Sequence, residues 1–246
     1  MGESEAASSR YRGFRSPRPV RDFFLRLRSS LASPFLHLRA AQLTLLRSRW
    51  RFSFEGARHR YFYHRYNRTW RNERAVEVPL VRERLRAAGP ARLLEVGNVL
   101  GHYLPRGHDV LDKYDDAPGV IREDAAEFRP SAAYDLIVSV STLEHIGWDE
   151  VPRDPGKVLR AVENLRRCLA PGGTLLATWP VGYNPELDRR VDEGSLGAAR
   201  LGWLRRTSWS NVWVEATWDE VRSAKFAEPF PFANAVCVGS FTRLDA

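Results

Sequence analysis

Four short apolar runs follow one another between residues 91 and 140: "ARLLEVG", "HDVLDKY", "GVIRED" and "YDLIVSV". Each is bounded by turn-forming residues, and each is apolar at consecutive rather than alternate positions. Runs of this kind are strands covered on both faces, as in a parallel sheet packed between helices. The chain between them is the tighter constraint. A parallel crossover normally holds a helix, yet the residues from His102 to Gly107 would span only about 9 Å as helix. Asp112 and Asp124 leave as little room between the second and third runs. The sequence therefore predicts a parallel sheet in which the helices after strands 1 and 2 are shortened to loops or single turns.

The alternation becomes regular further on. Residues 155–170 are predicted as a helix, with Asp154 as N-cap, Pro155 as first helical residue and Val158, Val162, Leu165 and Leu169 as the apolar stripe. Gly172 or Gly173 stops it, and "GTLLATWP" (173–180) is the next strand. Thr217 and Glu220 have the spacing of a capping box. "NAVCVGSF" (234–241) closes the chain as a final strand. Upstream, "RNERAVEVPLVRERLRAAG" reads as a helix that Pro79 kinks or restarts and Gly89-Pro90 ends. "FSFEGARHRYFYHRYNRTW" (52–70) reads as a hairpin-like run turning at Gly56. Three parts follow: a mobile basic tail (1–20), a basic aromatic extension (21–75) that covers the shortened sheet edge, and a core domain (76–246) with a substrate-facing insert at 181–215.

Charge is divided along the chain. Residues 1–70 hold fifteen Arg, no Lys and four acids, whereas the rest holds 23 bases and 26 acids. Phe23, Phe24, Leu27, Leu31, Phe35, Leu38, Leu45 and Leu46 lie among those arginines. Such a segment has three readings: a helix packed on the core or a partner, a peripheral contact with an anionic membrane through residues 20–50, or an organelle targeting segment. No run of about 18 apolar residues suggests a membrane span, and no secretory signal is evident near Met1. Cys168 and Cys237 sit in apolar surroundings and read as buried thiols. A cytoplasmic protein, at most peripheral to the inner membrane face, is expected.

The order Glu95-x-Gly97-x-x-x-Gly101, then Asp112, then Asp124-Ala125, then "YDLIVSVSTLEHI", then "NLRRCLAPGGTLL" resembles the class I S-adenosylmethionine-dependent methyltransferases of the stand-alone, small-molecule or glycan type, over residues 90–180. The resemblance implies an α/β, Rossmann-like, doubly wound and mostly parallel seven-stranded sheet with an antiparallel C-terminal strand and an N-terminal helical and hairpin extension. It implies S-adenosyl-L-methionine as cofactor. Gly97, lacking a Cβ, lets backbone approach the ligand, with Asn98 and Gly101 in the same turn. Glu95 accepts from the ligand's ammonium group, Asp112 from the ribose hydroxyls, and Asp124 from the adenine amino group, beside the Ala125 N–H. Lys113, Ser139 and Ser141 complete the strand ends. Val99 stands where the family's fuller motif has a glycine.

Methyl transfer is an in-line displacement, so an enzyme for it aligns the nucleophile and excludes water. His145 is the candidate general base for a hydroxyl acceptor, with Glu144 orienting or replacing it. Tyr66, Asn67, Trp70 and Glu73 are candidates to cover the cofactor. Tyr183, Asn184, Asp188, Trp203, Arg205, Arg206, Trp209 and Trp213 suit a sugar or other polyhydroxylated acceptor, or the packing of a lid. No metal-ligand cluster stands out. O-methylation of a sugar, glycan or specialised metabolite is the leading expectation. RNA methylation with the basic arm, and a non-catalytic membrane-associated protein with a degenerate cofactor fold, are the alternatives.

Overall fold

The computed structural model describes residues 33–47, 49–89, 91–105 and 107–244. The predicted tail (1–20) and Phe23, Phe24, Leu27 and Leu31 lie outside the described residues. The chain enters through helix α1 (Ser33–Leu46) and a two-stranded hairpin, β1 (Arg51–Phe54) and β2 (Ala57–Arg60). Glu55 and Gly56 form its turn, both at positive φ, which matches the twist of paired strands. Helix α2 (Arg74–Ala88) follows, then β3 (Leu93–Val96), β4 (Asp109–Leu111), β5 (Val120–Ile121) and β6 (Tyr134–Val140). Helix α3 (Lys157–Arg167), β7 (Leu169–Pro180), α4 (Pro185–Asp192), β8 (Arg200–Arg206), β9 (Trp213–Ala216), the short α5 (Trp218–Val221) and β10 (Ala235–Thr242) complete the chain.

Strands β3 to β10 form one sheet in the order β5-β4-β3-β6-β7-β10-β8-β9. The pairs from β5 across to β7 are parallel, and β10 inserts antiparallel between β7 and β8. The chain runs outward from β3 in both directions, so order reverses between β3 and β6. This is the Rossmann-like, doubly wound α/β arrangement, and it carries eight strands rather than seven. The extra strand is β9, antiparallel to β8 at the edge. As expected, the connection after β3 holds only a single turn, Leu100–His102, and no helix follows β4.

The two faces have separate cores. Val158, Ala161, Val162 and Leu165 of α3 are fully buried with Ile137, Leu175 and Trp179. On the other face Phe52 and Phe54 of the hairpin pack with Val76, Leu80, Leu204, Trp213 and Val236. The hairpin therefore covers the β8–β10 end, not the shortened edge. That edge is reached instead by the segment between hairpin and α2, where Tyr66 stacks on His102 at 4.0 Å and Phe62 meets Tyr103 edge-on. α3 begins later than predicted. The Asp154 carbonyl accepts from Lys157 N–H, its carboxylate turns to Arg160, and Leu169 belongs to β7.

Pro79 does not break α2. A proline at this place leaves the carbonyl four residues earlier without its helical donor. That carbonyl, on Ala75, accepts instead from Phe62 N–H at 2.9 Å. The expected capping box is present, with Glu220 Oε2 accepting from Thr217 N–H at 2.8 Å.

Candidate functional site

Open parallel sheets bind ligands beyond the carboxyl ends of their strands, where strand order reverses. Here that place is the rim between β3 and β6. The turn after β3 is built around Glu95, which is fully buried. Its Oε1 accepts from Val99 and Leu100 N–H at 2.7 and 2.6 Å, and its Oε2 lies 2.8 Å from His108 Nε2. Both oxygens are thus engaged within the chain, and Glu95 shapes the turn. Val99 has φ −103°, a conformation open to any residue, so no glycine is needed there. Gly97 has φ +86°, and a Cβ on it would lie 2.2 Å from Thr142 Oγ1. The glycine is required by that packing. Gly101 falls within the single turn that follows.

The ends of β4 and β5 carry two different arrangements. Asp112 Oδ1 accepts from Tyr114 and Asp115 N–H at 2.8 and 2.9 Å, while Oδ2 is only 3.3 Å from Asn98 N–H. The Asn98 amide donates to Asp115 Oδ2 at 2.7 Å. Asp112, Asn98 and Asp115 therefore form one polar ledge beside the turn. Asp124 instead belongs to a charge quartet. Lys113 and Lys157 each bridge Asp124 and Glu150, at 2.5 to 2.9 Å. Burial works against ionisation of Asp124, but the two ammonium groups overcome it and hold its carboxyl at about 2. Lys113 is likewise held above its ordinary value by those carboxylates, against the effect of burial. The quartet ties β4, β5 and the 142–156 segment together. The Ala125 carbonyl is taken by the Asn164 amide at 2.9 Å.

A third group lies at the β6 end, under the start of α2. Glu73, Arg74, Glu77 and Glu144 are all buried. Arg74 Nη1 meets Glu77 Oε2 at 2.5 Å and Glu73 Oε1 at 3.8 Å. Ser141 donates to Glu77 Oε1 at 2.7 Å, and Ala233 N–H to Glu73 Oε2 at 3.2 Å. Among the described residues Glu144 Oε2 has no partner, nor do the buried hydroxyls of Ser139 and Thr178. Burial pushes the Glu144 carboxyl well above its ordinary value, and the Glu73 carboxyl upward as well. Three carboxyl groups thus share one guanidinium.

Beside this nest stands a histidine pair. His145 Nδ1 lies 2.5 Å from Asp149 Oδ2, and Nε2 lies 3.6 Å from Glu144 Oε1. Tyr183 donates to the same Asp149 oxygen at 2.7 Å. Its ring stands edge-on to His145 at 4.9 Å and to Phe226 at 4.9 Å. An ionised Asp149 can only accept, so Nδ1 is the donor in this contact.

The structure brings Ser141, Glu144, His145 and Tyr183 together at the β6 end. It gives other candidates framework duties. Asn184 caps α4 and donates to the Glu144 carbonyl at 3.0 Å. Arg206 is buried and donates to the carbonyls of Arg71, Pro231 and Ser208. Trp213 is buried and donates to Asn211. Asn67 adopts positive φ and its carbonyl accepts from Asn72. Trp70 is half-buried, whereas Tyr66 and Trp209 are exposed. Arg205 and Lys225 line an open groove of about 640 Å³ on the β8 side. Arg74, Glu77 and Asp149 were not singled out by the sequence reading. The only signal for Asp149 is its spacing, four residues after His145.

No family model matches the sequence, and no curated protein matches it. Solved structures with similarity include the N-methyltransferase NodS from Bradyrhizobium japonicum WM9 in complex with S-adenosyl-L-homocysteine, at 17% identity over 70% of this chain and 91% of that one, with a TM-score of 0.42. A methyltransferase from Thermotoga maritima described as a possible histamine N-methyltransferase matches at 13% identity, covering 65% of this chain and 86% of that one, with a TM-score of 0.40. The sugar N-methyltransferase KedS8 from Streptoalloteichus sp. matches at 14% identity, covering 70% and 89%, with a TM-score of 0.36.

Proposed function

We propose that this chain is an S-adenosylmethionine-dependent methyltransferase acting on a hydroxyl of a sugar, glycan or specialised metabolite. The observation that carries the reading is the nest under α2. A buried carboxylate oxygen without a partner, among more carboxyls than cations, is costly in isolation and is relieved by a cationic ligand. It stands at the reversal point of the sheet, next to a polar ledge suited to a ribose. A donor with a sulfonium and an ammonium group at one end and a ribose at the other fits both. Asp112 and Asn98 would hold the ribose hydroxyls, and Glu144 with the Glu77–Arg74 pair would face the amino-acid end. Bound there, S-adenosylmethionine supplies an electrophilic methyl carbon.

The chain's own residues supply proton handling and alignment. Asp149 fixes the imidazole with Nδ1 protonated, and Tyr183 holds Asp149 in place. The Nε2 lone pair then takes the acceptor's hydroxyl proton as the oxygen attacks. Tyr66 and Trp70 lie on the segment over the turn and restrict water.

Calorimetric titration with S-adenosylmethionine and S-adenosylhomocysteine tests the donor. Binding is expected for the native chain and weakening for Asp112→Ala and Glu144→Gln; no binding at high micromolar ligand ends the reading. Long-range nitrogen-15 spectra test the histidine pair without any acceptor. Protonation at Nδ1 is expected in the native protein and a shift toward Nε2 in Asp149→Asn. Transfer of labelled methyl to amine but not hydroxyl acceptors would replace the hydroxyl assignment.

A further inference from the structure

Helix α1 is mostly exposed. Phe35, Leu38, Leu45 and Leu46 are 74%, 68%, 75% and 70% exposed, while Leu43 is buried. At about 100° per residue these four fall within an arc of roughly 100°, which also holds Gln42, with Arg39 beside it and Leu43 about 60° beyond Leu46. The helix therefore exposes four large apolar side chains on a face they share with Gln42 and Arg39. It is fastened at its C-terminal end, where Arg47 donates to the Ser210 carbonyl at 2.8 Å and lies 4.4 Å over the Trp50 ring. Trp209, next to that carbonyl, is 72% exposed.

The chain just beyond is crowded with positive charge. Arg49, Arg51 and Arg58 line one shallow surface depression. Loss of hydration first, and then the charges of Arg60 and Arg58, make Arg51 easier to deprotonate than usual. The sequence before α1 continues the trend, with seven Arg and three acids in residues 1–32.

We infer that α1 and the arginine cluster of the β1–β2 hairpin form a docking surface for an anionic lipid membrane, with α1 lying in the interface. Outward leucines and phenylalanine with exposed tryptophans suit the boundary between headgroups and acyl chains, and crowded arginines suit anionic headgroups. A nucleic acid would match the arginines but leave the four exposed apolar side chains in water. A second copy would cover those side chains but bring a second arginine cluster against the first. Among the described residues no helix is long and apolar enough to cross a membrane. The surface is independent of the rim site.

The test is co-sedimentation of the full chain with vesicles of phosphatidylcholine alone or mixed with phosphatidylglycerol. Binding to the mixed vesicles should exceed binding to the neutral ones by roughly tenfold or more, and should weaken as salt rises. Leu38→Glu with Leu45→Glu should reduce it by roughly tenfold. Arg49→Ser with Arg58→Ser should flatten the salt dependence. Val151→Glu, at an exposed apolar residue elsewhere, should change nothing. Thermal melts of each variant check that the fold is kept. Equal binding to both vesicle types, or none, overturns the inference. So does a stable dimer that Leu38→Glu dissociates, or RNA binding that the same substitutions abolish.

Discussion

Gly97→Ala tests whether the turn after β3 is limited by its own packing. Two costs are separable. A residue with a Cβ at positive φ is strained by about 1–2 kcal/mol. The new methyl would also lie 2.2 Å from Thr142 Oγ1, 2.8 Å from Cγ2 and 2.9 Å from Cβ. Forcing a methyl into a filled space costs about 1–3 kcal/mol. Together these predict a loss of about 2–5 kcal/mol, or a fall in Tm of roughly 5–15 °C for a chain of this size. Thr142→Ala removes the two nearer clashes and keeps the third. It gives up only the 3.2 Å hydrogen bond to the Val140 carbonyl, worth about 1 kcal/mol. In the double variant, Gly97→Ala should therefore cost about 1–2 kcal/mol less than in the native background. Urea melts of the four proteins, without ligand, measure this coupling. Strict additivity would refute the packing account and return the glycine to a role in ligand approach.

Asp188→Asn should stabilise the protein in a pH-dependent way. Burial raises the Asp188 carboxyl to about 6 from 3.8. The native state holds that proton more tightly than the unfolded chain, so the penalty is absent below about pH 4 and complete above about pH 6. The shift corresponds to about 3 kcal/mol at most, nearer 1–2 after solvent screening. Urea melts at pH 4 and pH 7.5 should show no gain and the full gain respectively. Arg74→Met should cost about 3–5 kcal/mol, because it leaves buried Glu73 and Glu77 without their cation. A melt that moves by less than a few degrees would show the nest is not held by that charge.

Much of the sheet was readable because β3, β6 and β7 are buried on both faces and therefore apolar throughout. β8 and β9 were missed for the opposite reason. "WVEA" forms the edge and "RLGWLRR" is the strand next to it; both are partly open to solvent, so the apolar signal is diluted by Arg and Glu. In the site, residue types were easier to find than their duties. Gly97, Glu95 and Asn184 stand out by motif or position, yet each serves the chain's own packing or hydrogen bonding. Arg74, Glu77 and Asp149 look like ordinary surface charges in the sequence. Only the fold, by laying α2 across the rim and turning the segment after β6 back on itself, makes them neighbours of Glu144 and His145.

The bond from Phe62 to the carbonyl left open by Pro79 makes the upstream segment a structural part of α2. The helix cannot complete its own ladder, so it borrows a donor from a dozen residues earlier. A recombinant chain trimmed to begin at residue 72 would keep Glu73, Arg74 and Ala75 but leave the Ala75 carbonyl without its donor. The practical boundary of an autonomous unit therefore falls before Phe62 and, because Phe52 and Phe54 are buried with Val76 and Leu80, before the hairpin as well; shorter versions should be insoluble.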